Sequence, residues 1–142
     1  MFKFFHSVRV RYSEIDGQKL VFHAHYLTYF DCAMVEYFRQ GLNLEIHKLA
    51  EQNVFEFVLV KTALEFTRPA KLDEHLAVWC HVERIGGSSL DMNFKITSHD
   101  KDDILVTGKT TYVSYDANAA KARPIPSFIR SAILDFEGNE RL

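Results

Sequence analysis

Cysteine is scarce in this chain: Cys32 and Cys80 are the only two, and neither stands at a spacing that pairs metal ligands or builds a disulfide framework. Both are expected to be reduced, buried thiols within periodic segments. No stretch approaches the roughly 18 consecutive apolar residues of a membrane span. The N-terminus, MFKFFHSVRVRY, is interrupted by Lys3, Arg9 and Arg11 before an apolar signal-peptide core can form. A cytoplasmic protein without membrane insertion is the expectation. An excess of one charge is also missing, since 17 Lys and Arg face 19 Asp and Glu for a net charge of −2. That leaves no field to recruit polyanions, so nucleic acid is not expected as a partner. Gly/Ser linkers, low-complexity tracts and fixed-period repeats are absent, which predicts one domain over residues 1–142. There is no G-x-S-x-G elbow, no phosphate-binding GxxxxGK[ST] loop and no GxGxxG turn. Chemistry therefore falls to carboxylates and imidazoles, and no cofactor is implied.

Aromatic residues are abundant, with 12 Phe and 6 Tyr beside one Trp. From Phe2 to Tyr12 the apolar residues alternate, Phe2, Phe4, Val8, Val10 and Tyr12 on one side and Lys3, Ser7, Arg9 and Arg11 on the other, as in a half-buried strand. From Tyr26 to Gln40 the period becomes helical, with Tyr26, Leu27, Phe30, Ala33, Met34, Tyr37 and Phe38 on one half and Tyr29, Cys32 and Val35 on the other. Such a helix is apolar over more than one stripe and should be mostly buried, with Gly41 ending it through a left-handed turn. A short helix is expected around Glu45 to Gln52. Phe55–Arg68, His75–Ile85, Ser89–Ser98 and Ile104–Tyr115 are β-branched and aromatic runs. Gly86-Gly87 and the polar run His99–Asp103 separate neighbours at hairpin intervals and predict antiparallel pairing. A final helix is expected from near Pro126 to about Phe136.

One strand, a buried helix and about four further antiparallel strands make an α+β arrangement in which the sheet must wrap the helix to cover its apolar circumference. The hotdog fold, an antiparallel sheet of about five strands wrapped around a long buried helix, meets that demand. A cystatin-like or nuclear-transport-factor-like cone is the alternative.

Within E14-I-D-G-Q-K-L-V-F-H-A-H-Y26, Asp16 follows a strand and precedes a turn that Gly17 permits. Such an aspartate either caps its own turn or presents a carboxylate at the sheet end. If the loop folds back so that His23, Ala24 and His25 open the helix, free N–H groups of the first turn lie beside His23, where an oxyanion could develop. A carboxylate on one side of an acyl carbonyl, with N–H donors and an imidazole on the other, suits thioester hydrolysis, Asp16 attacking directly or activating water. His23 and His25 with Asp16 lack a third histidine, so no metal is assigned.

The stretch V10-R-Y-S-E-I-D16-G-Q-K-L-V21-F-H23-A-H-Y26-L-T-Y-F-D-C-A-M resembles the entry of hotdog-fold acyl-CoA thioesterases of the 4-hydroxybenzoyl-CoA thioesterase type, including the bacterial branch associated with the Tol-Pal system. F66-T-R-P-A-K-L-D-E resembles that family's P-A-x-x-D-[DE] segment, and R84-I-G-G-S-S-L its Gly/Ser hairpin. The order of elements is similar over nearly the whole chain. The resemblance implies Asp16 as the catalytic aspartate, His23 as the histidine of the V-Y-H branch and Tyr26 as the tyrosine that opens the helix and shapes the pocket. Asp31 falls where the family often has an acid, and a structural role is expected there. Lys19 stands where a glycine is common, and Glu14-Ile15 replace a more usual Asp-Thr.

An acyl-CoA substrate also carries phosphates, for which Arg68, Lys71, Arg84, Ser88 and Ser89 are candidates at strand ends and the hairpin. The donor is acyl-CoA or an acyl carrier protein thioester. The resemblance further implies a homodimer or homotetramer with sites between subunits. A hotdog hydratase or dehydratase, and a non-catalytic acyl-CoA-binding module, are the rival functions.

Overall fold

The computed structural model describes residues 2–138. Strand β1 (Phe4–Arg9) leads through a 3-10 turn (Tyr12–Glu14) and a loop into helix α1 (His25–Glu36), which a π-helical turn (Tyr37–Gly41) prolongs. Helix α2 (Ile46–Glu51) follows, then β2 (Phe57–Phe66), β3 (His75–Ile85), β4 (Ser89–Ser98), β5 (Ile104–Asp116), the short β6 (Lys121–Ala122) and helix α3 (Ser127–Glu137). The sheet runs β1-β3-β4-β5-β2, antiparallel throughout, with β6 on the end of β5. This is the hotdog fold: a curled antiparallel sheet around one long helix.

The alternating runs decide which side of the sheet curls inward. Leu76, Val78, Cys80 and Val82 of β3, and Leu90, Met92, Phe94 and Ile96 of β4, are fully buried. Against them α1 buries Tyr26, Tyr29, Phe30, Ala33 and Met34. The Phe30 ring stacks on Phe94 with centroids 4.4 Å apart and planes 12° from parallel. Beneath the same ring lies Gly108 of β5, where an added Cβ would stand 2.5 Å from Phe30 Cε2. The helix thus rests on bare backbone at that point.

Helix α3 closes the far end of α1. The Tyr37 hydroxyl donates to Glu137 Oε2 (2.6 Å), which also accepts the Val82 N–H (3.1 Å). This contact falls where the β3–β4 register slips between Val82 and Arg84.

Four local expectations change. Tyr12 is 82% exposed, because β1 stops at Arg9 and the 3-10 turn swings the tyrosine outward. Cys32 is exposed on the outer face of α1, whereas Cys80 is buried, and both are free thiols. The outer face is more open than an apolar circumference suggests, since Thr28 and Asp31 are exposed as well. Gly41 is not left-handed: Asn43 (φ 58°) turns the chain, and Gly41 instead meets the Phe136 ring at 3.4 Å from an added Cβ.

Replacing Gly108 by alanine should force the Phe30 ring from its stack and cost about 1–3 kcal/mol. Urea unfolding followed by circular dichroism measures this. Gly17→Ala, whose added methyl meets nothing within 4 Å, should show no comparable loss.

Candidate active site

After the 3-10 turn the chain makes a miniature hairpin in which Ile15 pairs with Val21. The Asp16 N–H donates to the Leu20 carbonyl (2.8 Å), and the Lys19 N–H to the Asp16 carbonyl (3.0 Å). Asp16 Oδ1 accepts the N–H of Gln18 (2.8 Å) and of Leu20 (3.3 Å). One carboxylate oxygen therefore pins the turn, while no hydrogen bond to Oδ2 is seen among the described residues. Lys19, at φ 62°, takes the left-handed position. The turn thus keeps a conformation that glycine adopts freely, and it is Lys19 rather than Gly17 that bears it.

The returning limb of this hairpin is tied to the segment between β2 and β3. The Val21 N–H donates to the Ala70 carbonyl (2.9 Å) and the Leu72 N–H to the Lys19 carbonyl (3.3 Å). The Ala70 N–H in turn donates to the Tyr26 hydroxyl oxygen (3.0 Å). The buried Ala70 peptide is thus gripped by the loop on its carbonyl side and by α1 on its N–H side. Tyr26 is 2% exposed. Burial raises its phenol pKa, and the nearby charges of Glu74 and Asp16 push in the same direction.

Helix α1 opens in a tight turn. The N–H groups of His25, Tyr26 and Leu27 donate to the carbonyls of Phe22 (2.9 Å), His23 (3.4 Å) and Ala24 (3.2 Å). Three-residue bonds close the first turn, so the amides left without a partner among the described residues are those of His23 and Ala24. The exposed His23 ring lies on Phe22, centroids 4.3 Å apart. Together with Tyr26, Phe66, Arg68 and Pro69 it lines a cavity of about 280 Å³ at the helix tip.

Arg68 reaches this cavity, but its guanidinium is already matched. Nη2 donates to Glu74 Oε2 (2.7 Å), Asp103 Oδ2 (2.8 Å) and Ser98 Oγ (2.8 Å), and Nη1 to the Pro69 carbonyl (3.1 Å). These carboxylates, Glu74 foremost, raise the Arg68 pKa. The arginine clamps the Pro69–Ala70 platform to the β4–β5 turn. Lys71 is exposed at the same end. Arg84, Ser88 and Ser89 lie at the other end of β3, about 33 Å away at roughly 3.3 Å per residue. There Arg84 donates to Asp91 Oδ2 (2.9 Å) and Ser89 Oγ (3.0 Å). One chain thus gathers Asp16, His23, Tyr26, Arg68 and Lys71 at one end and leaves the hairpin residues at the opposite one.

A larger cavity of about 390 Å³ opens between α1, α2 and β2, walled by Met34, Val35, Ile46, Phe55 and Phe57. Asp31 stands at its edge, where its carboxylate accepts the Tyr112 hydroxyl at 3.5 Å. Glu14, marked in the sequence only as a departure from a more usual aspartate, is buried by the fold beneath the α1 tip. The signal was the Arg11/Glu14 spacing, one helical turn apart beside an aromatic helix.

A sheet curled around one helix, with a carboxylate turn, an imidazole and open amides at the same end, is a hotdog fold with a candidate enzyme site there. The model of the thioesterase-like superfamily matches residues 10–133, and the chain belongs to that superfamily of thioester hydrolases. It is 29% identical over 127 residues to the acyl-CoA thioesterase YbgC of Haemophilus influenzae, covering 88% of this chain and 90% of that protein. A probable thioesterase from Bartonella henselae is 27% identical with a TM-score of 0.78, over 87% of this chain and 100% of that one. The 1,4-dihydroxy-2-naphthoyl-CoA thioesterase from Synechocystis has the same fold at 20% identity, with a TM-score of 0.84 over 94% and 97% of the two chains.

The Arg68 clamp sets an acid limit. Burial alone would raise the Glu74 pKa, but hydrogen bonds from Arg68, the Lys71 N–H and Ser98 bring it below its ordinary 4.5. Because the folded pKa is the lower one, the stabilisation is complete above about pH 4.5 and is lost as pH falls through the folded value. Melting temperature should drop below that pH, and drop less steeply in Glu74→Gln.

Proposed function

We propose that this protein hydrolyses an acyl-CoA thioester to the free acid and CoA, with Asp16 as nucleophile or general base. The observation that carries this reading is the division of labour within Asp16. One oxygen is held by Gln18 and Leu20, which aims the carboxylate while its second oxygen stays open. The carbonyl of the substrate sits against the amides of His23 and Ala24, where the positive end of α1 and the His23 ring stabilise the developing oxyanion. Asp16 either attacks the carbonyl carbon, expelling the CoA thiolate and leaving an anhydride that water opens, or takes a proton from the water that attacks. Tyr26 ties the helix tip to the Ala70 platform and walls the cavity.

A dimer formed through β2 supports the placement of CoA. Strand β2 is a sheet edge in the described chain, with Leu59, Val60 and Phe66 exposed. Antiparallel pairing of two β2 edges reverses the second copy, so its Gly86–Gly87 hairpin lies at the Asp16 end of the first. The phosphates then meet Lys71 of one copy and Arg84, Ser88 and Ser89 of the other, while Arg68 holds the platform beneath them. The apolar wall of the larger cavity suits an apolar acyl part. An acyl carrier protein thioester presents the same reacting atoms and belongs in the substrate test. No helix among the described residues is long and apolar enough to cross a membrane.

Thiol release from a panel of saturated acyl-CoA, unsaturated acyl-CoA and acyl carrier protein thioesters tests the proposal. Asp16→Asn keeps an oxygen for Gln18 and Leu20, so it should remain folded and lose about 10²–10⁴-fold in kcat. Water addition across the double bond without thiol release would instead identify a hydratase, and tight acyl-CoA binding without turnover a binding module.

A further inference from the structure

Glu14 is 4% exposed, although it is a carboxylate in a turn at the protein surface. Its burial is compensated on every side. Oε1 accepts the Arg11 backbone N–H (2.8 Å) and the Tyr29 hydroxyl (2.8 Å). Oε2 accepts Arg11 Nε (3.0 Å) and Nη2 (2.8 Å). The Glu14 carbonyl accepts the Phe22 N–H (2.9 Å). A buried carboxylate with this many donors is held stiffly, since moving it would strand a charge away from water.

The three partners belong to three different pieces of the site. Arg11 lies in the chain leaving β1, Phe22 immediately precedes His23, and Tyr29 lies one turn into α1. Glu14 itself is two residues before Asp16. One side chain and its own carbonyl therefore join both walls of the gap in which the thioester is to react. We infer that Glu14 is a positioning residue, which sets the distance between the Asp16 carboxylate and the amides of His23 and Ala24 by gripping Tyr29 and Phe22. This rests on the reading of Asp16 given above. Glu14 touches no substrate; it acts through Asp16, and its effect falls on kcat because the reacting atoms must be held within a fraction of an ångström of their productive arrangement. The grip on α1 is the arm that matters. The Arg11 side chain is largely exposed, and its ion pair holds the carboxylate in its rotamer rather than holding the helix.

Kinetics in two backgrounds test this. Tyr29→Phe removes one hydroxyl and keeps the ring, so it should fold, and it should lower kcat by about 10- to 100-fold with KM nearly unchanged. Glu14→Ala should lose at least as much, and Glu14→Gln, which keeps an Oε1 acceptor for Tyr29 and the Arg11 N–H, should lose less than Glu14→Ala. In single-turnover measurements on Asp16→Asn, adding Tyr29→Phe should produce no further loss, because the residue through which Glu14 acts is already disabled. A folded Tyr29→Phe with unchanged kcat overturns the proposal. So does a Tyr29→Phe loss of equal size with and without the Asp16 carboxylate. Full activity of Asp16→Asn alone would mark the failure of the underlying assignment of Asp16, a result distinct from either of these.

Discussion

The position of everything in this protein follows from one contact: the Phe30 ring lying on Phe94 over the bare backbone of Gly108. That contact sets how deeply α1 sinks into the sheet. Because the ring is fully enclosed, sliding or rolling the helix would open a void lined with aromatic carbon, which dense packing does not tolerate. The depth of the helix in turn decides that its N-terminal tip emerges beside Phe66 and Pro69, at the end of the sheet where Asp16 turns back. A purely apolar constraint in the centre thus places a polar reaction site about one and a half helical turns away.

At the tip the control passes to hydrogen bonds. The Ala70 peptide is bonded by Val21 and Tyr26, and the platform around it is anchored by Arg68 to Glu74, Asp103 and Ser98. The Arg68 charge is matched before any substrate arrives, leaving the open oxygen of Asp16, the exposed Lys71 and the amides of His23 and Ala24 as polar groups with capacity to spare. Low-dielectric walls of Tyr26, Phe66 and Pro69 strengthen whatever interaction those groups make.

The sheet was legible from the chain because its strands are β-branched and aromatic runs, with alternation clearest in β3 and β4. His75–Ile85 and Ser89–Ser98 have the bounds that their side-chain period implies, and the glycine pair between them marks the turn. Periodicity reports which side chains want burial and is silent on backbone bonding, which is where the expectations departed. Tyr12 continues the β1 alternation on paper, yet the backbone has already entered a 3-10 turn. The amides of His25, Tyr26 and Leu27 are consumed by three-residue bonds, which leaves those of His23 and Ala24 open, a distinction that side-chain periodicity does not make. Glycine was read as the residue that turns the chain at positions 17 and 41, but Lys19 and Asn43 carry the positive φ angles. Among the candidate site residues, Asp16, His23 and Tyr26 are brought to one end by local structure, whereas Arg84, Ser88 and Ser89 lie at the opposite end of β3. Glu14 took no role from the sequence because its partners lie 3, 8 and 15 positions along the chain, a pattern that no single period reveals.

The π-helical turn at Tyr37–Gly41 has a consequence for how the molecule tolerates change. Its Leu42 N–H reaches back to the Tyr37 carbonyl (3.1 Å) as well as to that of Phe38 (3.2 Å), so one extra residue is accommodated within the coil. That insertion resets the angular phase of the chain that follows, at a turn whose consecutive side chains Tyr37 and Phe38 are both buried. The closed end, docked by Glu137, therefore takes its angular phase from this turn. Sequence drift around α3 can be absorbed by rewinding this single turn, without rotating Tyr29 or the tip of α1.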